Sequence, residues 1–141
     1  QRVTWSNVAT IKPADPLTIL LEYTLGGESS ASTPTGTRDA YWHALAAIAS
    51  WGWTDRFTTA LRGEVFFDNE AARTGGLSAT NPQHNVTLGE VTLTGSYKFT
   101  KMLIGRAELR QDWANHPVYQ KGRNSADSNQ TTIGMQLLYT F

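Results

Sequence analysis

The chain contains no cysteine in 141 residues, which excludes a disulfide framework, a thiolate metal site and a cysteine nucleophile. That absence fits an envelope location. It has no excess of charge either. Twelve Lys and Arg balance twelve Asp and Glu, whereas a nucleic-acid footprint needs a basic surplus, so no nucleic-acid partner is expected. Long apolar runs are missing too: LTILL (17–21) and ALAAIA (44–49) fall far short of the roughly 18 to 20 residues that a membrane-crossing helix requires. The first residues, QRVTWSNVATIKP, lack the basic stretch followed by an apolar one that marks a secretory signal. An exported protein with this beginning is a processed form or a fragment. The length suits a single domain over 1–141 and hardly two.

What the chain does have is a period of two. Leu17, Ile19, Leu21, Tyr23 and Leu25 are apolar, while Thr18, Glu22 and Thr24 between them are polar, as in a strand with a different solvent on each face. Phe57 to Phe67, Val91 to Phe99, Leu103 to Trp113 and Ile133 to Phe141 carry their apolar residues at the same odd parity. Arg2 to Lys12 and Ala40 to Trp51 read as two further, less regular strands, for a total of seven.

The connections alternate in length. KPADP, GWTDR and TK are turns of about two to five residues, whereas GGESSASTPTGTR, NEAARTGGLSATNPQHN and ANHPVYQKGRNSADSNQ are long, polar and aperiodic, so they read as loops. Short turns at one end and long loops at the other describe an all-β, antiparallel up-and-down transmembrane β-barrel. In lipid such a sheet must satisfy every backbone hydrogen bond between strands. Odd residues then meet lipid and even residues a water-filled lumen. Bacterial single-chain barrels have an even number of strands, so seven points to the C-terminal part of a larger barrel; the alternative is an eight-stranded barrel with one strand unread.

Two bands of aromatics are expected at the interfaces. Trp51, Trp53, Phe57, Tyr97, Phe99, Tyr139 and Phe141 fall beside the short turns or the last residue, and Trp5, Tyr23, Tyr41, Trp42, Phe67 and Trp113 near the long loops, as in the girdles of membrane barrels. The even positions carry charge: Glu22, Arg62, Glu64, Glu90, Lys98, Arg106, Glu108, Arg110 and Asp112. A lipid-facing Arg or Lys at mid-bilayer costs about 2 to 4 kcal/mol, so these nine are candidate pore-lining residues that would set pore size and ion preference. A salt-bridged, plugged interior is the alternative. PLTILLEY, RFTTALRGEVFFD and KMLIGRAELRQDW form a weak repeat of roughly 40 to 45 residues, close to a propeller-blade length. Each unit supplies two strands rather than four, so hairpin repetition accounts for it better.

Three segments carry a resemblance. WTDRFTTALRGEVFFDNEAARTGG, LGEVTLTGSYKFTKMLIGRAELRQDWANHPVYQKG and NQTTIGMQLLYTF are similar to the C-terminal half of the OmpL-like β-barrel porins of Gram-negative bacteria, over roughly Leu17 to Phe141. The resemblance implies an outer-membrane porin for passive diffusion of small hydrophilic solutes or ions, with no catalytic residues. Members of that family are longer than this chain. The ending, apolar at alternate positions up to Tyr139 and Phe141, resembles the assembly signal by which the barrel-assembly machinery engages unfolded barrels. Other expected partners are outer-membrane lipid and lipopolysaccharide, a second copy of the chain, or an envelope protein.

No enzymatic constellation stands out, and neither a cofactor nor a metal is expected. His43, His84 and His116 lack the spacing of metal ligands. Asp68 to Glu70 and Asp127 could bind calcium but read as solvated loop carboxylates. TGGLSAT (74–80) lacks the lysine and following helix of a phosphate loop. NVT and NQT match a glycosylation pattern that has little meaning in a bacterial envelope. Two other classes remain beside the porin: a soluble lipocalin-like barrel, which would carry its apolar residues inside, and a barrel serving as a sleeve or anchor for a partner protein.

Overall fold

The computed structural model describes residues 1–74, 85–123 and 125–141. Seven long strands form one antiparallel sheet in chain order: β1 (Arg2–Ala14), β2 (Leu17–Thr33), β3 (Gly36–Gly52), β4 (Phe57–Asp68), β5 (Val86–Lys98), β6 (Leu103–Ala114) and, last, β9 (Asn129–Tyr139). Between β6 and β9, β7 (Tyr119–Gln120) and β8 (Ala126–Asp127) pair as a separate ribbon. Among the described residues no ladder joins β1 to β9. The seven strands expected from periodicity are therefore present, all up-and-down.

Register keeps the two faces apart. Leu61 pairs with Leu93, Leu93 with Leu109 and Leu109 with Ile133, whereas Arg62 pairs with Thr92, Thr92 with Arg110 and Arg110 with Thr132. Because side chains alternate across a strand, the odd face collects the apolar residues and the even face the polar ones. Exposure then runs opposite to that of a protein folded around an oily centre: Ile133, Met135 and Leu137 are 73%, 87% and 73% exposed, while Glu90 and Asp112 are 4% and 5% exposed.

The structure corrects two of the expected loops. GGESSASTPTGTR is largely strand: β2 and β3 continue to a two-residue turn at Pro34–Thr35, where Thr33 Oγ1 donates to the Gly36 carbonyl at 2.6 Å and Gly36 takes a positive φ of 114°. A bulge between Glu28 and Ala31 sets Ser29 and Ser30 against Asp39, whose Oδ1 accepts the Ser30 N–H at 3.0 Å. The hairpin projects past the end of β4 at Asp68. Ladder hydrogen bonds need no apolar alternation, and the side chains buried along this hairpin are small, Ala31 and Ala40, so the polar composition concealed the strands. In the last connection, the β7–β8 ribbon occupies a stretch that read as loop throughout.

Trp42 is the other correction. It has even parity and is 6% exposed, so it does not join the outer aromatic band. Its indole lies flat on Gly26, its cross-strand partner, in space that a Cβ would fill. Gly26→Ala is therefore expected to destabilise the sheet by about 1 to 3 kcal/mol through overpacking. Gly134→Ala, where an added Cβ meets nothing within 4 Å, should be near neutral. Urea titration in detergent micelles, followed by tryptophan fluorescence, distinguishes the two.

Candidate functional site

The nine charged residues singled out in the sequence share the even face, but they are not evenly spread. One row across the sheet reads Glu22, Ala46, Glu64, Glu90, Asp112, Gln130. The next row toward the short turns holds Arg62 and Arg110 on either side of Thr92. Glu108 lies a further row along, opposite Thr94, then Arg106 opposite Ser96, and Lys98 opposite Ile104 at the short-turn end. The sequence repeat that aligned Glu22, Glu64 and Glu108 thus fails in space. Glu22 and Glu64 share a row, which Glu90 and Asp112 complete.

Two guanidiniums tie that acidic row together. Arg62 Nε donates to Glu90 Oε1 at 2.5 Å, and Thr92 Oγ1 donates to Glu90 Oε2 at 2.5 Å. Arg110 approaches Asp112 at 2.5 Å and Glu90 at 3.5 Å. A nearly buried carboxylate is tolerated only when such charge-assisted bonds replace its water. Glu64 and Glu22 differ. Glu22 accepts from Ser6 Oγ at 3.2 Å and Thr24 Oγ1 at 3.4 Å, and Glu108 from Thr94 Oγ1 at 3.1 Å. Glu64 makes neither an ion pair nor a hydrogen bond with the described residues, although it faces Glu90 directly across β4 and β5.

Segments from the long-loop end fold over this same face. Asp68, fully buried, accepts the N–H groups of Ala72, Arg73 and Thr74 at 2.8 to 3.0 Å and the Thr74 hydroxyl at 3.0 Å. It is not the solvated carboxylate its loop position implied, because backbone donors take its oxygens. Glu70 accepts the Tyr41 N–H at 2.8 Å, and Arg73 reaches Glu28 at 2.5 Å while its guanidinium lies 4.6 Å from the Trp42 ring centre. Ala71, Val86 and Val118 pack together against Leu88, Ala114 and Tyr119. Beneath Tyr119 is a recess of about 420 Å³ lined by Glu64, Glu90, Arg110, Asp112 and Gln130. Burial, followed by the nearby Asp112 charge, pushes the Tyr119 hydroxyl above its ordinary pKa.

Sequence reading missed Asp68, Arg73, Glu28 and Tyr119 as parts of this arrangement. An Asp at a strand end followed by small polar residues is a turn-forming signal that could have found the first. The others depend on contacts distant in sequence.

The odd face carries the aromatics. Trp51 and Trp53 lie 5.9 Å apart, and Tyr97 and Phe99 5.2 Å apart, beside the short turns, with Phe57 and Tyr139 exposed at the same end. Trp113 sits at the other end over Gly89. His43 stacks between Tyr23 and Phe67, at 6.4 and 4.6 Å. Phe141 is fully exposed. His84 and most of TGGLSAT lie outside the described residues.

A family model described as "Putative beta-barrel porin-2, OmpL-like" matches residues 1–141, the whole chain. No curated protein and no solved structure matches.

Removing Arg62 leaves Glu90 with the Thr92 hydroxyl and the more distant Arg110. Arg62→Met is expected to cost about 1 to 3 kcal/mol, the range for an under-satisfied buried polar group, with the lower end favoured because the Arg62 side chain is itself 37% exposed. Adding Glu90→Gln should recover most of it, since no charge is then left buried. Chemical denaturation of both variants in micelles checks this.

The ribbon supplies a pH prediction. A hydrogen bond from Lys121, then backbone N–H groups of Ser128 and Asn129, hold the Asp127 carboxyl below its usual range. A depressed carboxylate pKa stabilises the fold above the unfolded-state value and loses that contribution as pH falls through the folded-state value. Amide protection at Val118 and Lys121, whose N–H groups bond Asp127 O and Ser125 O, should hold from neutral pH down to the ordinary aspartate range and decline below it. Asp127→Asn should abolish the pH dependence in hydrogen exchange.

Proposed function

The chain belongs to the OmpL-like putative β-barrel porin-2 family, and from that premise we propose that it forms, or forms part of, a water-filled outer-membrane channel for small hydrophilic solutes or ions. The observation that carries the proposal is the inverted polarity of the sheet. Isoleucine, methionine and leucine stand in the open on one face while glutamate and aspartate are buried on the other. Leaving such a side chain in water forgoes about 1.5 to 3 kcal/mol, so a continuous face of them favours an apolar phase over water.

Length supports the same phase. Twelve residues, as in β4 and β6, rise about 40 Å, and a tilt of about 45° reduces that to roughly 28 Å, close to the roughly 25 Å apolar band of such barrels. A lipocalin-like soluble barrel would reverse the two faces. On this reading, lipid and lipopolysaccharide cover the odd face, the aromatics anchor it at both interfaces, and the even face lines water. Tyr139 and Phe141 on the last strand are the groups that the assembly machinery would engage.

The apolar packing of Ala71, Val86 and Val118 over the even face favours one second reading, a barrel narrowed or plugged by its own segments and without a pore. Single-channel recording of the full-length protein in planar bilayers separates the two. Discrete open-channel steps are expected for the porin; their absence at every voltage selects the plugged barrel.

A further inference from the structure

We infer that the channel prefers cations and that Glu64 sets the preference, an inference that rests on the channel reading above. The acidic and basic groups of the even face occupy different levels along the strands. Glu22, Glu64, Glu90 and Asp112 share one row, and only Arg62 and Arg110 lie in the row beside it. Both guanidiniums are engaged by Glu90 and Asp112. Four carboxylates against two guanidiniums leave two negative charges without an ion-pair partner among the described residues, Glu22 and Glu64.

Position distinguishes these two. Glu22 is held by the Ser6 and Thr24 hydroxyls, on strands β1 and β2 and away from the recess. Glu64 lines the recess together with Tyr119, at the level where the segments that pack over the even face would crowd a water-filled path. A fixed charge acts most strongly on a passing ion where low-dielectric walls crowd the path and focus its field. The bases toward the short turns, Lys98 and Arg106, are exposed, and neither lines the recess nor packs against the Ala71, Val86 and Val118 cluster. Electrolyte screens them over about 10 Å at 0.1 M salt. The unpaired carboxylate in the narrow part therefore outweighs paired or open charges elsewhere.

Glu90 and Asp112 are unsuited to this role for a structural reason. Arg62 and Thr92 occupy both oxygens of Glu90, and Arg110 holds Asp112 through Oδ1, so a passing cation would have to compete with charge-assisted bonds already made. Glu64 can meet the ion without breaking anything.

The test is the reversal potential of the full-length protein in planar bilayers under a tenfold KCl gradient. The wild type should reverse on the potassium side of zero, and more so as total salt is lowered. Glu64→Gln, which keeps the side-chain volume, should reduce the potassium-to-chloride permeability ratio by roughly two- to fivefold. Glu64→Lys should carry it toward chloride, and Asp55→Asn, exposed in the short turn between β3 and β4, should change it little. A wild type without cation preference, or a Glu64→Gln channel that reverses where the wild type does, overturns the assignment while the porin reading stands. Absence of channel steps in the wild type overturns the porin reading and this inference with it. If Glu64→Lys fails to insert, the wild-type and Glu64→Gln measurements decide the matter.

Discussion

The rest of this structure depends on the register of its backbone ladder. Through all six long ladders, odd residues pair with odd and even with even, apart from the irregular ends at Ala14 and beyond the Glu28 bulge. A slip of one residue in any strand would move its whole apolar set onto the charged face. For β6 that would carry Arg106, Glu108, Arg110 and Asp112 among Leu93, Ile133 and Met135. The desolvation cost of those charges far exceeds anything the shifted hydrogen bonds could return.

Given the register, the charges arrange themselves around Glu90. Its carboxylate sits in the centre of the sheet, and the two strands beside it each send an arginine from the neighbouring row. The arrangement locks β4, β5 and β6 across their inner face, as the ladder locks their backbones. Pairing there is structural first, and what remains for interaction with a solute is set by what the pairing leaves over.

The folded-in segments use the same economy of partners. Asp68 at the end of β4 gathers the next turn's backbone donors, and Arg73 in that turn reaches back to Glu28 on β2 across the Trp42 ring. The ribbon places Val118 and Tyr119 on the same face from the other side. Among the described residues both segments approach the even face and neither covers the apolar one. That asymmetry agrees with a membrane barrel with one solvated face.

Alternation of polarity and the sorting of charge to one face were legible in the sequence, because a period of two is written residue by residue and needs no distant partner. The hairpin at Pro34 was hidden because its strands carry small and polar residues without apolar alternation. The ribbon in the last connection was hidden because each of its strands pairs only two residues. Trp42 was expected in the outer aromatic band and instead packs on Gly26 on the inner face, a contact that depends on the neighbouring strand. The sequence by itself determined which residues can face which solvent. Only the tertiary structure decided which carboxylates are paired, because strand register brings Glu90 between Arg62 and Arg110 and leaves Glu64 without an ion pair among the described residues.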